Sequence, residues 1–158
     1  MTGAAMARED LLALSGLDAM RGIADGRFAP PAIALTLGFR LQEVAEGYAL
    51  FVGDPSERVL NPLGIVHGGF ALTLIDSCCG CAAHTTLPAG VGYTTVETKV
   101  NFVRAIMPDT GPLRAEGRVV AQGRTIITAE GRLTDASGKL YAHGTSTLLV
   151  FQPQGRKT

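Results

Sequence analysis

The sequence has no excess of charge of either sign and no long apolar run. Its 158 residues include 14 basic and 14 acidic side chains. Nucleic-acid binders usually carry a basic excess, and anionic membrane surfaces attract basic runs. A membrane-spanning helix needs about 20 apolar residues, and a secretory signal needs a charged region followed by an apolar one. Neither pattern occurs, so we expect no nucleic-acid partner, no membrane partner and a cytoplasmic location.

Cysteine is scarce and confined to one place, at Cys78, Cys79 and Cys81. Three cysteines within four residues cannot form a disulfide framework. A metal site would normally need a second cluster of ligands elsewhere, and the sequence offers none. We therefore interpret the three thiols as small apolar side chains on a buried helix and expect no metal.

Charged residues make up only 18% of the chain, whereas hydrophobic residues make up 46%. The length suits a single domain. Because a small domain has much surface to cover, scarce charge indicates that part of this surface is buried against another subunit. We therefore expect a homo-oligomer.

Hydrophobic periodicity predicts an N-terminal helix followed by two strands. Apolar residues spaced three or four apart predict one amphipathic helix over residues 8–24. Residues 34–41 and 47–53 predict two strands, joined by a turn at Glu46-Gly47.

Residues 68–87 predict a second helix that is buried on all sides, since nearly all of its residues are apolar or small. Alternation then predicts an antiparallel meander, in which Thr94 and Val96 share one face of the first strand and Thr95 and Glu97 share the other. Further strands are predicted near residues 112–122, 125–134 and 139–151. One buried helix with a long antiparallel sheet is an α+β architecture.

Gly68 and Gly69 stand where a loop enters the buried helix. Without side chains they let a ligand approach the backbone closely, and the free N–H groups of a helix start carry partial positive charge. A carbonyl group under attack placed there would face donors that stabilise its developing negative charge. The same glycines could open a helix for purely structural reasons.

Asp76 is the one carboxylate on this helix. An unpaired carboxylate in an apolar site is costly, so Asp76 must pair, face a polar cleft or be neutral. We favour a functional role over a structural contact at a subunit interface. His67 could be a general base, but a loop-orienting role is preferred for it. Asn61 could hold a water or a backbone group, or form an ordinary turn.

These residues together resemble the phenylacetate-degradation (PaaI-like) type of hotdog thioesterase. Asn61 stands six residues before His67-Gly68-Gly69, and Asp76 stands nine residues after His67. The resemblance covers roughly residues 35–150 and implies hydrolysis of acyl- or aryl-coenzyme A thioesters, with no separate cofactor because coenzyme A is part of the substrate. It implies a hotdog fold in which an antiparallel sheet wraps around one long central helix. The expected organisation is a helical extension over residues 1–30, a thioesterase domain over 31–152 and a tail over 153–158.

The resemblance also implies the roles of the site residues. The aspartate matching Asp76 acts as general base or nucleophile, and the amide matching Gly68 polarises the carbonyl. The residues matching Asn61 and His67 support the loop and the attacking water. Thr95 matches a hydroxyl residue that places the water, although Thr94 lies beside it on the other predicted face.

Coenzyme A carries phosphates and needs positive charge where it binds. Gly69 and the basic residues Arg104, Arg124 and Lys139 are the candidates for this contact, and each basic residue could equally be a solvated charge at a strand end.

The spacing of Gly68 and Asp76 predicts a site shared between protomers. Eight residues along a helix correspond to about 12 Å. A carboxylate must come within about 3–3.5 Å of the carbonyl, directly or through one water. Two antiparallel copies of the helix across a two-fold axis would meet this need. The resemblance likewise implies a homodimer, often paired again into a dimer of dimers.

Two other functions remain open at this point. A hotdog enoyl-CoA hydratase or dehydratase could use His67 together with Asp76. A non-catalytic acyl-CoA-binding module would need the cleft but not the carboxylate.

Overall fold

The computed structural model describes residues 8–152 and shows one antiparallel sheet wrapped around a long helix. The predicted α+β hotdog architecture is therefore confirmed. The predicted tail over 153–158 lies outside the described residues, as do residues 1–7 of the predicted extension.

The helices are α1 (Arg8–Leu12), α2 (Gly16–Ala24), α3 (Ala32–Leu37) and α4 (Gly68–His84), with a short 3-10 turn at Glu57–Val59. The strands are β1 (Phe39–Ala45), β2 (Tyr48–Gly53), β3 (Gly92–Phe102), β4 (Leu113–Gln122), β5 (Ile126–Asp135) and β6 (Leu140–Phe151).

The N-terminal region contains two helices, so the prediction of one helix over residues 8–24 was wrong. The break falls at residues 13–15, and Ser15 starts α2 by accepting a hydrogen bond from the Asp18 amide at 3.1 Å. A serine that caps a new helix start satisfies an amide that has no partner within the helix. The amphipathic pattern runs across the break because both short helices bury apolar residues against the same core.

The prediction of a strand over residues 34–41 was also wrong in its first half. Residues Ala32–Leu37 form α3, and the strand begins only at Phe39. Gly38 ends the helix with a φ of 77°, the left-handed conformation that favours glycine after a helix. The turn between β1 and β2 is where it was predicted, and Gly47 takes a φ of 71° there.

Helix α4 lies closely on the concave side of the sheet. A Cβ atom on Gly117 of β4 would come within 2.2 Å of the Cys78 carbonyl oxygen, so this position has no room for any side chain. Cys78 and Cys79 are fully buried, as the interpretation of the thiols as fillers requires. Within the protomer, however, α4 is not buried on all sides. A partly open stripe runs along it, comprising Leu72, Thr73, Asp76, Ser77 and Cys81.

Strand β3 is the outer strand at one edge of the sheet, in the order β1-β2-β4-β5-β6-β3. Its regular pairing with β6 is interrupted by a bulge between Thr95 and Glu97. Val96 and Phe102 of this edge strand are each 55% exposed. Over residues 8–152, none of the helices is long and apolar enough to cross a membrane.

Candidate active site

The loop before α4 is held in shape by Asn61. The Asn61 side-chain oxygen accepts hydrogen bonds from the amides of Leu63 at 2.9 Å and Ile65 at 3.2 Å. The Asn61 amide in turn donates to the Ile65 carbonyl at 2.8 Å. Asn61 thus holds backbone groups, and it does so through the bonds to following amides that an ordinary turn asparagine also makes.

His67 caps the start of α4. Its Nδ1 accepts a hydrogen bond from the Gly69 amide at 2.8 Å, so that nitrogen carries no proton in this arrangement. The His67 amide donates to the Val59 carbonyl at 2.7 Å, which ties the cap to the preceding turn. These contacts agree with a loop-orienting histidine.

Gly68 presents the available amide at this helix start. The Gly69 amide is engaged by His67, whereas the Gly68 amide has no acceptor among residues 8–152. Gly68 lines a cavity of about 300 Å³ together with Phe102, Arg104 and Tyr141. The ring of Phe102 lies 3.4 Å from where a Cβ on Gly68 would be, so alanine would fit here, whereas a side chain longer than that of alanine would narrow the approach to this amide.

The carboxylate of Asp76 is held by two hydroxyl groups of β3. Its Oδ1 accepts from Thr95 Oγ1 at 3.1 Å and from Thr98 Oγ1 at 3.0 Å. Thr94 is exposed, so the geometry brings Thr95 to Asp76 and leaves Thr94 outside. An unbroken alternation along the strand predicts that Thr95 and Thr98 lie on opposite faces of the sheet. This prediction was wrong, because the bulge after Thr95 adds one residue and brings both side chains to the same face.

Thr98 was not among the residues that the sequence predicted for the site, and besides its bond to Asp76 it has a buried partner. Its Oγ1 lies 2.9 Å from Ser146 Oγ, and Ser146 is only 1% exposed. A hydroxyl has one hydrogen, so Thr98 donates to Asp76. Ser146 then donates either to Thr98 Oγ1 or to the Glu97 carbonyl oxygen at 3.2 Å. The second oxygen of Asp76, Oδ2, has no hydrogen-bond partner in the described part of the chain. The carboxylate is thus oriented through one oxygen while the other stays available.

The groups beside Asp76 stay neutral. Burial, and then the charge of Asp76, raise the pKa of the Cys81 thiol to about 12. Burial is also the main reason that the pKa of Tyr93 lies well above its usual value. A thiol needs to ionise to act as a nucleophile, so Cys81 is unsuited to that role. Over residues 8–152, no three His, Cys, Asp or Glu side chains gather as a metal site.

The three basic candidates for coenzyme A contact lie in different places. Arg104 lines the same cavity as Gly68, where it donates to the Leu140 carbonyl and stacks on Tyr141 with its guanidinium 5.8 Å from the ring centre. Lys139 precedes Leu140 in the turn before β6, whereas Arg124 lines a separate cavity at the turn between β4 and β5.

Gly68 and Asp76 are not brought together within one protomer. They lie on the same uninterrupted helix, eight residues and therefore about 12 Å apart along its axis. The site thus consists of two halves, an amide donor at the helix start and an oriented carboxylate at its middle.

Residues 63–142 match the family model of the thioesterase superfamily. The chain belongs to this superfamily. A candidate esterase of Saccharolobus solfataricus is 39% identical to this thioesterase over 116 residues, which cover 73% of this chain and 81% of that protein. The protein is therefore a thioester hydrolase.

Solved structures support the same assignment. One is a candidate thioesterase from Ralstonia eutropha, a phenylacetic acid degradation-related protein, which superimposes with a TM-score of 0.74 at 28% identity. The superposition covers 82% of this chain and 98% of that protein. A thioesterase family protein from Silicibacter pomeroyi superimposes with a TM-score of 0.74 at 26% identity, covering 84% and 98%. The predicted resemblance to hotdog thioesterases of the phenylacetate-degradation type is confirmed.

Proposed function

We propose that this thioesterase hydrolyses acyl- or aryl-coenzyme A thioesters, using Asp76 of one protomer and the Gly68 amide of its partner. The observation that carries the proposal is the Asp76 carboxylate, which two threonine hydroxyls orient on the partly open stripe of α4. A charge-bearing group fixed on an otherwise apolar helix is costly unless the site uses it.

In the proposed reaction the Gly68 amide binds the thioester oxygen and stabilises the negative charge that forms on it. The free Oδ2 of Asp76 takes a proton from a water as the water oxygen attacks the carbonyl carbon. The carbon–sulfur bond then breaks, the departing sulfur takes the proton that Asp76 had accepted, and the acid and the thiol of coenzyme A are released with the Asp76 carboxylate restored. Direct attack by Asp76, giving an anhydride that water cleaves, uses the same geometry.

A homodimer would complete the site. The edge strand β3 carries exposed apolar side chains at Val96 and Phe102, and an unpaired edge of this kind favours pairing with another copy. Pairing of two β3 strands about a two-fold axis would bring the open stripes of two α4 helices together in antiparallel fashion. The assembly of two such dimers into a tetramer stays a prediction, as does the cytoplasmic location.

Positive charge for the phosphates of coenzyme A would come first from Arg104, because it shares a cavity with Gly68. Lys139 lies in the adjoining turn and is the second candidate, whereas Arg124 would have to act from the other end of the sheet. No further cofactor is proposed, since a thioester is already activated and a base with an amide donor suffices.

Thiol release from acetyl-, octanoyl- and phenylacetyl-CoA tests the function. We expect Asp76→Asn to lower turnover by about 10²–10⁴-fold, because it removes a positioned base. Asp109→Asn makes the same change at an exposed position and serves as the matched control. Near-normal turnover in a folded Asp76→Asn protein would reject the role of Asp76. Water addition to an enoyl-CoA without thiol release would instead indicate a hydratase.

A further inference from the structure

An apolar cavity of about 400 Å³ lies between the N-terminal helices and the body of the domain. Three parts of the chain form its walls: helices α1 and α2, the segment that leads into α3, and a floor made by β1, β2 and α4. The lining residues are Leu11, Met20, Ile23, Ala29, Pro30, Pro31, Ala34, Leu41, Phe51 and Cys81. This cavity is distinct from the one beside Gly68, with which it shares no lining residue.

The lining selects for a hydrocarbon. Every lining side chain is apolar apart from the Cys81 thiol, and none carries a charge. The volume lies in the range of small-molecule sites, roughly 300–1,000 Å³. An apolar lining offers water few hydrogen-bond partners and so favours apolar molecules. A fatty chain or an aryl ring fits these properties, whereas a phosphate or a carboxylate does not.

The cavity adjoins the stripe of α4 that carries Asp76. Cys81, in the cavity floor, lies five residues after Asp76, about 7.5 Å further along the helix axis. Ser77 comes four residues before Cys81, so these two small side chains lie one above the other on the helix surface. Both are partly exposed. The partly open stripe of α4 therefore extends from Asp76 through Ser77 to Cys81, which lines the cavity.

We propose that this cavity holds the distal hydrocarbon part of the acyl group, so that the N-terminal helices determine the chain-length preference of the enzyme. The inference rests on the proposed function and adds the substrate class, namely medium- to long-chain acyl thioesters. The floor suits such a tail, since the Cys81 thiol is held neutral by burial and by the nearby Asp76 charge. Each methylene that moves from water into an apolar cavity contributes up to about a four-fold gain in kcat/KM.

Filling the cavity tests the inference. Ala29→Phe places a ring in the side wall, and Ile23→Phe fills the cavity from α2 should the first variant fold poorly. Ala32→Phe is the matched control, since Ala32 is exposed at the start of α3 and does not line the cavity. The readout is the ratio of kcat/KM for dodecanoyl-CoA to that for acetyl-CoA.

We expect the wild-type ratio to exceed one and both filling variants to lower it by at least about ten-fold, the loss that excluding a few methylenes gives. Ala32→Phe should keep the wild-type ratio. A wild-type preference for acetyl-CoA, or an unchanged ratio in the filling variants, would overturn the inference while leaving the thioesterase function intact.

A wild-type protein that releases thiol from no acyl-CoA would reject the proposed function. Calorimetric titration with dodecanoic acid then decides about the cavity itself. Binding to the wild type and to Ala32→Phe, with loss in Ala29→Phe, supports a hydrocarbon site. Absence of binding to the wild type overturns it.

Discussion

The Oγ1 atom of Thr98 lies 3.0 Å from Oδ1 of Asp76, the same oxygen that Thr95 reaches at 3.1 Å. In a regular strand two residues three positions apart point to opposite faces of the sheet. The bulge between Thr95 and Glu97 inserts one residue, so that both hydroxyls point toward α4. The orientation of the carboxylate thus depends on a local irregularity in the edge strand.

Thr98 should act as a positioning residue for Asp76. We expect Thr98→Val to lower kcat by about 10-fold, the effect of losing one hydrogen bond to a charged group, with a smaller change in KM. Thr98→Ser keeps the hydroxyl and should restore most of the activity. Thr94→Val is the neighbouring control at an exposed position and should behave as the wild type. Equal losses in Thr98→Ser and Thr98→Val would indicate a packing role instead.

The Gly68 amide can be deleted without breaking the helix. Gly68 is the first residue of α4, where proline is well tolerated, and His67 has the extended ψ of 135° that suits a residue before proline. We expect Gly68→Pro to lower kcat by about 10²–10³-fold, as the loss of an oxyanion donor does elsewhere. Gly68→Ala retains the N–H and meets Phe102 at an ordinary 3.4 Å, so it should keep most of the activity. Comparable activity in the two variants would argue against this amide.

Stability should fall on mild acidification because of His84. Burial lowers the pKa of His84 below its ordinary value of 6.5, and its buried Nδ1 has no hydrogen-bond partner among residues 8–152. The unfolded chain therefore binds a proton at a pH where the folded protein does not. The free energy of unfolding is then highest above pH 6.5 and decreases as the pH falls below that value, until the folded state is protonated too.

Urea unfolding across this pH range measures the effect. His84→Leu should flatten the pH dependence near 6.5, whereas His143→Gln, a change at a partly exposed histidine, should leave it in place. Asp25 and Asp135 also have lowered pKa values, but they titrate below 3.8 and so outside this window. A pH dependence that survives in His84→Leu would contradict the assignment.

The parts of the site that the sequence predicted are those that local chemistry determines. The Gly68–Gly69 pair marks a helix start because glycine and a capping residue act within a few residues of each other. Asp76 is conspicuous because it is the one charge in an apolar helix. Both could be found without knowing how the strands pair.

Thr98 was missed because the direction of its side chain depends on how two distant strands pair. Helix α3 was missed because its apolar run is too short to show a helical period. The bulge that turns Thr98 toward Asp76 arises from the register between β3 and β6, where Thr95 faces Leu148 and Glu97 faces Thr147. The short apolar run of α3 alternates as a strand would, and only the left-handed Gly38 separates it from β1. A six-residue run is too short for its periodicity to distinguish the two.

A mixture of two inactive variants should regain activity if each site draws Gly68 and Asp76 from different protomers. When Gly68→Pro and Asp76→Ala chains are co-expressed, random pairing makes half of the dimers mixed. In a mixed dimer one site receives both lesions, and the other combines an intact Gly68 with an intact Asp76. Recovery should therefore approach about one quarter of wild-type thiol release, by the two-fold symmetry of the dimer. If both groups of a site came from one chain, every mixed dimer would remain inactive.

Sedimentation must show that dimers form, and differently tagged chains purified in tandem must show that they are mixed. If mixed dimers form without recovery, the two groups of each site must come from a single protomer, and the shared site is rejected. We expect recovery instead, because Gly68 and Asp76 of one protomer are separated by about 12 Å along α4 and cannot both reach one carbonyl.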